Sequence, residues 1–406
     1  MDEIGRRYLL LVLRLGHHLP DLISSYLGPA ELAEAVAGEA PTPAEELHLE
    51  ALALGAEAAE RIGGSEADGR RRAWLVDQLS ALAASARLVA GEEIGFVDLV
   101  EELYGIAAEA EPEVTFASAR AMLDRVLPPG RTIAGRLAAH DLSVTLPADV
   151  ALRAVRRATN ALRQRTVRDV WLPDGESVEF VASGDRSAGF SASYLGGYRS
   201  RIEITPGRPL GLGQLLRLAG HVAYPGHHAE YATKEALLVQ ERGLGEAMVV
   251  CRLTPAESIS EGLAGLGRGV VLDDLELSGV LRRLVRDLGV PISEESVERE
   301  ILVERARSQL GGAAANAALM VWRDGVPPSE VRAWLADAAP MSEATLDREV
   351  TRLATVRDSA RAFRRLAGPR VVAEWVELQG PTHGLGRLLS EQLTPAQLRA
   401  ELGTAG

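Results

Sequence analysis

The amino-acid sequence predicts a mainly α-helical protein with one small antiparallel β-sheet. Three observations carry that expectation. Ala, Leu, Arg and Glu dominate the first 170 residues and the chain beyond about 240, with apolar residues three and four apart. Only the stretch 177–205 switches to a period of two. Directly after it, the segment 221–230 gathers three of the chain's eight histidines and a glutamate around a Pro-Gly break.

Taken in order, the N-terminus leads from Arg6-Arg7 into the apolar run Tyr8-Leu9-Leu10-Leu11-Val12-Leu13, which Arg14 cuts short. No small-residue cleavage site follows, so the run reads as a buried amphipathic helix and not as a signal peptide. Helical periodicity then covers 43–62, 71–90, 115–127 and 148–168, with breaks at Gly28-Pro29, Gly63-Gly64 and Pro128-Pro129-Gly130. After the turn Pro173-Asp174-Gly175, Val178 and Phe180 alternate with Ser177 and Glu179. Phe190 to Leu195 follows, then Gly196-Gly197. In the next run Tyr198, Ser200, Ile202 and Ile204 share one face, and Arg199, Arg201 and Glu203 the other. About three antiparallel strands are expected, ended by proline and glycine at 206–213, with the histidine helix at about 212–240. Thr254-Pro255-Ala256-Glu257 spells a capping box with proline at the first helical position, opening a helix through Glu261. Further helices fit 294–310, 312–323, 329–338, 342–366 and 394–402, the last opened by Thr394-Pro395-Ala396-Gln397. This divides the chain into an N-terminal helical region (1–170), a core with the sheet and the metal-site helices (171–310) and a C-terminal helical region (311–406).

Composition bounds the function. A chain of 406 residues, 47% hydrophobic and 25% charged, is long and apolar enough to bury a large core. Its net charge of −13 argues against a nucleic-acid partner, which requires a basic face. No apolar run approaches the ~20 residues of a membrane span. The single cysteine, Cys251, forms no internal disulfide, so nothing demands an oxidising compartment, and a cytoplasmic location is expected. Lys234 is the only lysine and asparagine occurs twice, a bias of GC-rich codon usage rather than of chemistry.

Helical geometry decides which histidines can share a metal. On a regular helix, His221 and His227 lie about 120° apart around the axis, and His221 and His228 lie roughly 10.5 Å apart along it. Neither pair serves one ion with bonds near 2 Å. Pro225 cannot donate to the His221 carbonyl, however, and Gly226 opens further backbone angles. With Pro225-Gly226 treated as a bulge, the segment reads His-Val-Ala-Tyr-His, which places both imidazoles on one face. His221 and His227 are therefore the expected ligands, and His228 the alternate. Glu261 is the expected third ligand, since Glu257 is accounted for by capping and Gly262 permits close helix approach. Two histidines, a glutamate and an open position make a catalytic zinc set. What the segment lacks is equally informative. A zinc peptidase helix reads H-E-x-x-H with the glutamate as general base, and here that position is Val222.

The string HVAYPGHHAEYATKEALL, followed by ESISEGLAGL, resembles the bacterial "domain of unknown function 885" family, a group similar to zincin metallopeptidases. Members read H-E-x-x-P-G-H-H and later E-G-W-A or E-G-L-A. The likeness extends to LPDGESVEF, YLGGYRSRIEI and PDLISSYLGPAEL, and so over most of the chain. It implies a zincin-like architecture with the sheet beside the metal helix and an edge strand able to hold an extended substrate. Val222 departs from the family glutamate, Trp322 stands where relatives often have histidine, and Glu374 and Leu378 stand where they have tyrosines.

With the base missing, Glu230 is the candidate replacement, three residues beyond His227, although it can equally pair with Lys234 at i+4. Tyr194 and Tyr198 are candidates to polarise a carbonyl, and Arg199 and Arg201 to hold a substrate carboxylate. Two functions follow as expectations: a zinc-dependent hydrolase of peptide or amide-like bonds with altered catalysis, or a non-catalytic metal-binding relative that holds a peptide, small molecule or partner. A metal-free helical scaffold is the third.

Overall fold

The computed structural model describes residues 1–183, 190–205, 207 and 209–404. It is mainly helical, and among the described residues seven short strands form three small sheets. The strands are β1 (Ile23–Tyr26), β2 (Thr145–Leu146), β3 (Ser177–Ala182), β4 (Phe190–Gly196), β5 (Arg199–Ile204), β6 (Leu210–Gly211) and β7 (Val249–Cys251). β1 pairs with β7 and β2 with β6, both antiparallel. The three-stranded sheet has the order β3-β5-β4.

That sheet departs from the antiparallel expectation in one respect. β4 and β5 form an antiparallel pair, but β3 lies parallel to β5, with Phe180 opposite Ile202. β3 pairs along the outer edge of β5 in the same direction, which leaves β4 as an edge strand. The hairpin turn needs left-handed backbone at Gly196 (φ +75°), Gly197 (φ +59°) and Tyr198 (φ +60°), which the two glycines adopt without steric cost. The expected end of the sheet at 206–213 falls partly outside the described residues.

The helices Ala44–Arg61, Glu66–Val89, Glu113–Val126 and Ala148–Asp169 occupy the predicted windows within a few residues. The expected single helix 342–366 is instead two, Glu343–Arg352 and Val356–Gln379. Thr355 caps the second, its hydroxyl accepting from the Asp358 amide at 3.1 Å, and a capped N-terminus cannot lie inside a continuous helix. The helix Pro255–Val271 starts at the predicted proline, but the capping box does not form. Glu257 accepts from the Leu253 amide at 2.9 Å, while the Thr254 hydroxyl turns back to the Cys251 carbonyl. No helix among the described residues is long and apolar enough to cross a membrane.

Apolar packing forms two clusters. One joins Leu11, Leu54, Leu82 and Phe116 to Ala317 and Phe363; the other joins Leu162, Ile202, Leu215 and Tyr224 to Ile259, Leu281 and Trp375. The glutamate helix, Pro255–Val271, crosses the arginine helix, Val356–Gln379, at two glycines. A Cβ on Gly262 would lie 2.6 Å from Val372 Cγ2, and one on Gly368 would lie 2.4 Å from the Ser258 carbonyl oxygen. Only glycine allows this approach, which sets Arg364 and Arg365 against Glu257 and Glu261.

Candidate metal centre and its cleft

The histidine segment is irregular where the sequence demanded it. The α-helix Leu212–Arg217 widens into a π-helical turn, Leu218–Ala223, breaks at Tyr224-Pro225-Gly226, and resumes as His227–Lys234. The Gly226 amide bonds to the Gly220 carbonyl at 3.1 Å, and the Tyr224–Pro225 peptide is cis. A Cβ on Gly226 would sit 1.9 Å from the His221 carbonyl oxygen, so glycine alone fits this bend. Pro225 is seated on the glutamate helix, where a Cβ on Gly267 would be 2.7 Å from Pro225 Cγ. The bend brings the His221 and His227 rings to a centroid separation of 4.7 Å, with their planes perpendicular.

His221, His227 and Glu261 each present a donor atom within 4.8 Å of the others. His221 Nε2 is 3.8 Å from Glu261 Oε2, and His227 Nε2 is 4.0 Å from Glu261 Oε1. Tetrahedral zinc with bonds of 2.0–2.1 Å sets its ligand atoms about 3.3 Å apart, so these groups need only a small contraction to share an ion. Proton placement fits as well. Ser260 donates to the Glu230 carboxylate, so its oxygen can only accept from His227 Nδ1, 3.0 Å away. His227 thus carries its proton on Nδ1 and presents a bare Nε2 to the cluster. His221 is a third exposed to the cleft, yet protein surrounds it on its other sides. That enclosure, then His227 and the nearby Arg365 and Arg364, hold its pKa well below the ordinary 6.5, which keeps the ring neutral as a ligand must be.

The structure reassigns the other candidates. His228 is buried and both its nitrogens are engaged, Nδ1 with Ser200 Oγ at 2.8 Å and Nε2 with Glu176 at 2.9 Å. It therefore holds the sheet to the helix and is not a ligand. Glu230 lies beside His227 but is buried, bonded to Lys234 Nζ at 2.6 Å and to Ser260. Burial opposes its charge, but Lys234 and His227 prevail and hold its pKa at about 2, far too low for a base near neutrality. Tyr198 sits in the left-handed hairpin turn and donates to Gln240, outside the cleft that contains the cluster. Tyr194 does line that cleft, with its hydroxyl committed to Glu235. Arg201 pairs with Glu179 at 3.0 Å, and neither it nor Arg199 faces the cleft. Trp322, Glu374 and Leu378 also lie away from it.

Several contributors were not singled out from sequence. Glu176, in the turn before β3, is buried and receives bonds from His228, Tyr224 and Arg163. Burial raises its pKa less than these three donors lower it. Tyr231 stacks on His227, with ring centroids 5.6 Å apart and planes 15° from parallel. Tyr231 is four residues beyond His227 on the same helix, a neighbour by helical spacing, whereas only the fold brings Ser260 to His227.

A cavity of about 520 Å³ opens onto the cluster. The edge strand β4 contributes Phe190, Ala192 and Tyr194 to it, and Leu27, Trp74 and Leu238 add apolar wall. Val222 faces the same space, so the wall beside His221 is aliphatic. A larger cavity of about 960 Å³ shares Arg364 and Arg365 with this one but contains none of the three donor residues. Size does not locate the chemistry here; the donors do.

No protein-family model and no curated protein matches the chain. Among solved structures, the fold is similar to that of a "putative lipoprotein" from Colwellia psychrerythraea, with a TM-score of 0.53 and 12% identity, covering 94% of this chain and 70% of that one. A protein of unknown function described in the same words, from Shewanella oneidensis, gives a TM-score of 0.48 at 13% identity, over 91% and 76% of the two chains. At this identity the first likeness is one of fold alone.

Proposed function

We propose that the protein binds one zinc ion through His221, His227 and Glu261, in a zincin-like setting, and uses the adjoining cleft to hold a peptide or small-molecule ligand without efficient hydrolysis. One observation carries the reading: three donors of the right kind converge, while the position that should supply the base is Val222 and the nearest spare carboxylate, Glu230, is locked to Lys234 and Ser260. When bound, zinc supplies a Lewis acid that polarises an oxygen of the ligand. The chain's own residues orient that chemistry. Ser260 and Glu230 fix the His227 ring, and the β4 edge offers backbone groups to an extended ligand. A slow zinc-dependent hydrolase is the second reading, favoured by the three-ligand set, because losing a base that contributes ~10²–10⁴ in rate leaves the other terms in place.

Elemental analysis after zinc loading tests the proposal, together with turnover of a mixed peptide library. One zinc per chain, lost in His221→Ala, with turnover no higher than that variant's, is the expected result. Robust metal-dependent turnover would establish the hydrolase instead. No zinc even after loading would overturn both and leave a helical scaffold.

A further inference from the structure

The cleft's charges are unevenly spent. Its acidic residues are all engaged: Glu230 with Lys234, Glu246 with Arg71, Glu257 with Arg364, and Glu235 with Tyr194 and the Gly197 amide. Glu261 belongs to the metal cluster. Two of the cations are not spent. Arg252, exposed at the end of β7, lines the cleft with no ion-pair or side-chain hydrogen-bond partner among the described residues. Arg365, on the arginine helix, keeps 63% of its side chain exposed, and its one ionic contact runs from Nε to Glu261 at 3.8 Å, beyond hydrogen-bond reach. Apart from Glu261, these two guanidinium groups are the charged side chains of the cleft without a hydrogen-bond partner among the described residues.

We propose that Arg252 and Arg365 form a carboxylate-binding subsite beside the metal centre, and that the ligands of the cleft are acylated amino acids and short peptides with a free C-terminus. The inference rests on reading the cleft as a ligand site. Guanidinium groups match a carboxylate through paired N–H donors, which a compact ammonium does not. Spacing selects the C-terminal carboxylate. Arg365 Nε lies 3.8 Å from the same Glu261 carboxylate whose oxygens lie 3.8 and 4.0 Å from the imidazoles. Arg365 therefore lies beside the donor cluster, and one extended residue, spanning roughly 3.3–3.6 Å, is the scale of its distance to Glu261. Beyond the metal, Leu27, Trp74, Phe190 and Leu238 give the acyl side an apolar wall.

The test uses the full chain, loaded with zinc and assayed for metal content. It is mixed with N-acetyl dipeptides bearing free C-termini and with the same set amidated, in equal amounts, and the retained fraction is measured by mass spectrometry after ultrafiltration. The acids should be retained about tenfold over the amides, the scale of a charge-assisted pair in a partly open site. In the Arg252→Gln/Arg365→Gln variant the ratio should fall to near one while zinc content holds. Equal retention of acids and amides, retention of neither, or an unchanged ratio in the variant overturns the subsite. Displacement of the acids by inorganic phosphate but not by acetate would assign the arginines to a phosphate and overturn the carboxylate. The two proposals separate cleanly: acid preference in a chain that takes up no zinc refutes the metal and keeps the subsite, and zinc without acid preference does the reverse.

Discussion

Ser260 Oγ lies 3.0 Å from His227 Nδ1 and donates its own hydrogen bond to Glu230, so a serine on one helix sets which nitrogen of a histidine on another faces His221 and Glu261. Carboxylate-backed groups of this kind orient a ligand imidazole and raise its basicity. Ser260→Ala leaves the ring free to rotate and to exchange tautomers. Zinc affinity, measured by competition with a chromophoric chelator, should fall by about 10–100-fold while the unfolding midpoint changes little. Unchanged affinity would mean that stacking on Tyr231 suffices to hold the ring.

The two adjacent histidines should separate by phenotype. His227→Ala removes a ligand and should abolish stoichiometric zinc while sparing the apolar core. His228→Ala should keep the zinc and lose stability, because it strips a donor from the buried Glu176 carboxylate and an acceptor from the Ser200 hydroxyl of the sheet. Leaving a buried carboxylate short of a hydrogen-bond partner costs about 1–3 kcal/mol or more. Urea unfolding and elemental analysis of both variants check this, and zinc loss in His228→Ala would return that residue to the ligand set.

Much of this site was legible because its signals are local. The H-x-x-x-H geometry emerges once Pro225-Gly226 is recognised as a break, and Gly262 announces the helix crossing that brings Glu261 in. What was not legible depends on contacts between distant segments. Nothing within ten residues of His228 says that Glu176 will claim it, or that the hairpin turn will carry Tyr198 away to Gln240. The parallel β3–β5 pairing was hidden for the same reason, since alternation specifies a strand's faces and not its direction. The split at 353–355 was local and was missed because Thr355-x-x-Asp358 reads as helix interior unless the cap is sought.

Glu230 should make part of the fold acid-sensitive. Its carboxyl is buried, which alone would raise the pKa, but Lys234 and His227 bring it from 4.5 down to about 2. A depressed carboxyl contributes stability that is fully present above its unfolded value and lost as pH falls through the folded one. The contribution, on the order of 3 kcal/mol, should be intact above pH 4.5 and fade towards pH 2. Zinc-free wild type and Glu230→Gln, compared by urea unfolding across this range, should differ most at pH 5–6 and converge in acid. A gap independent of pH would show that Glu230 acts by packing alone.

The decisive substitution is at Val222. It follows His221 directly, it lines the cleft, and its side chain can neither accept a proton nor orient a water. Glu230 is no substitute, because a buried carboxylate that Lys234 and His227 hold at about pKa 2 is a poor proton acceptor at neutral pH. Val222→Glu places a carboxylate where an H-E-x-x-H helix carries its base, in a half-buried position where a modest rise in pKa would suit the role. Zinc-loaded Val222→Glu should gain peptidase-type turnover over wild type by ~10²-fold or more, with His221→Ala as the metal-free control. If both stay equally inactive with zinc bound, the lost function extends beyond the base, to groups that position the scissile carbonyl. If the wild type already turns over and Glu230→Ala abolishes it, the lysine-bound carboxylate must leave Lys234 in the working state, and the hydrolase reading replaces the ligand-holding one.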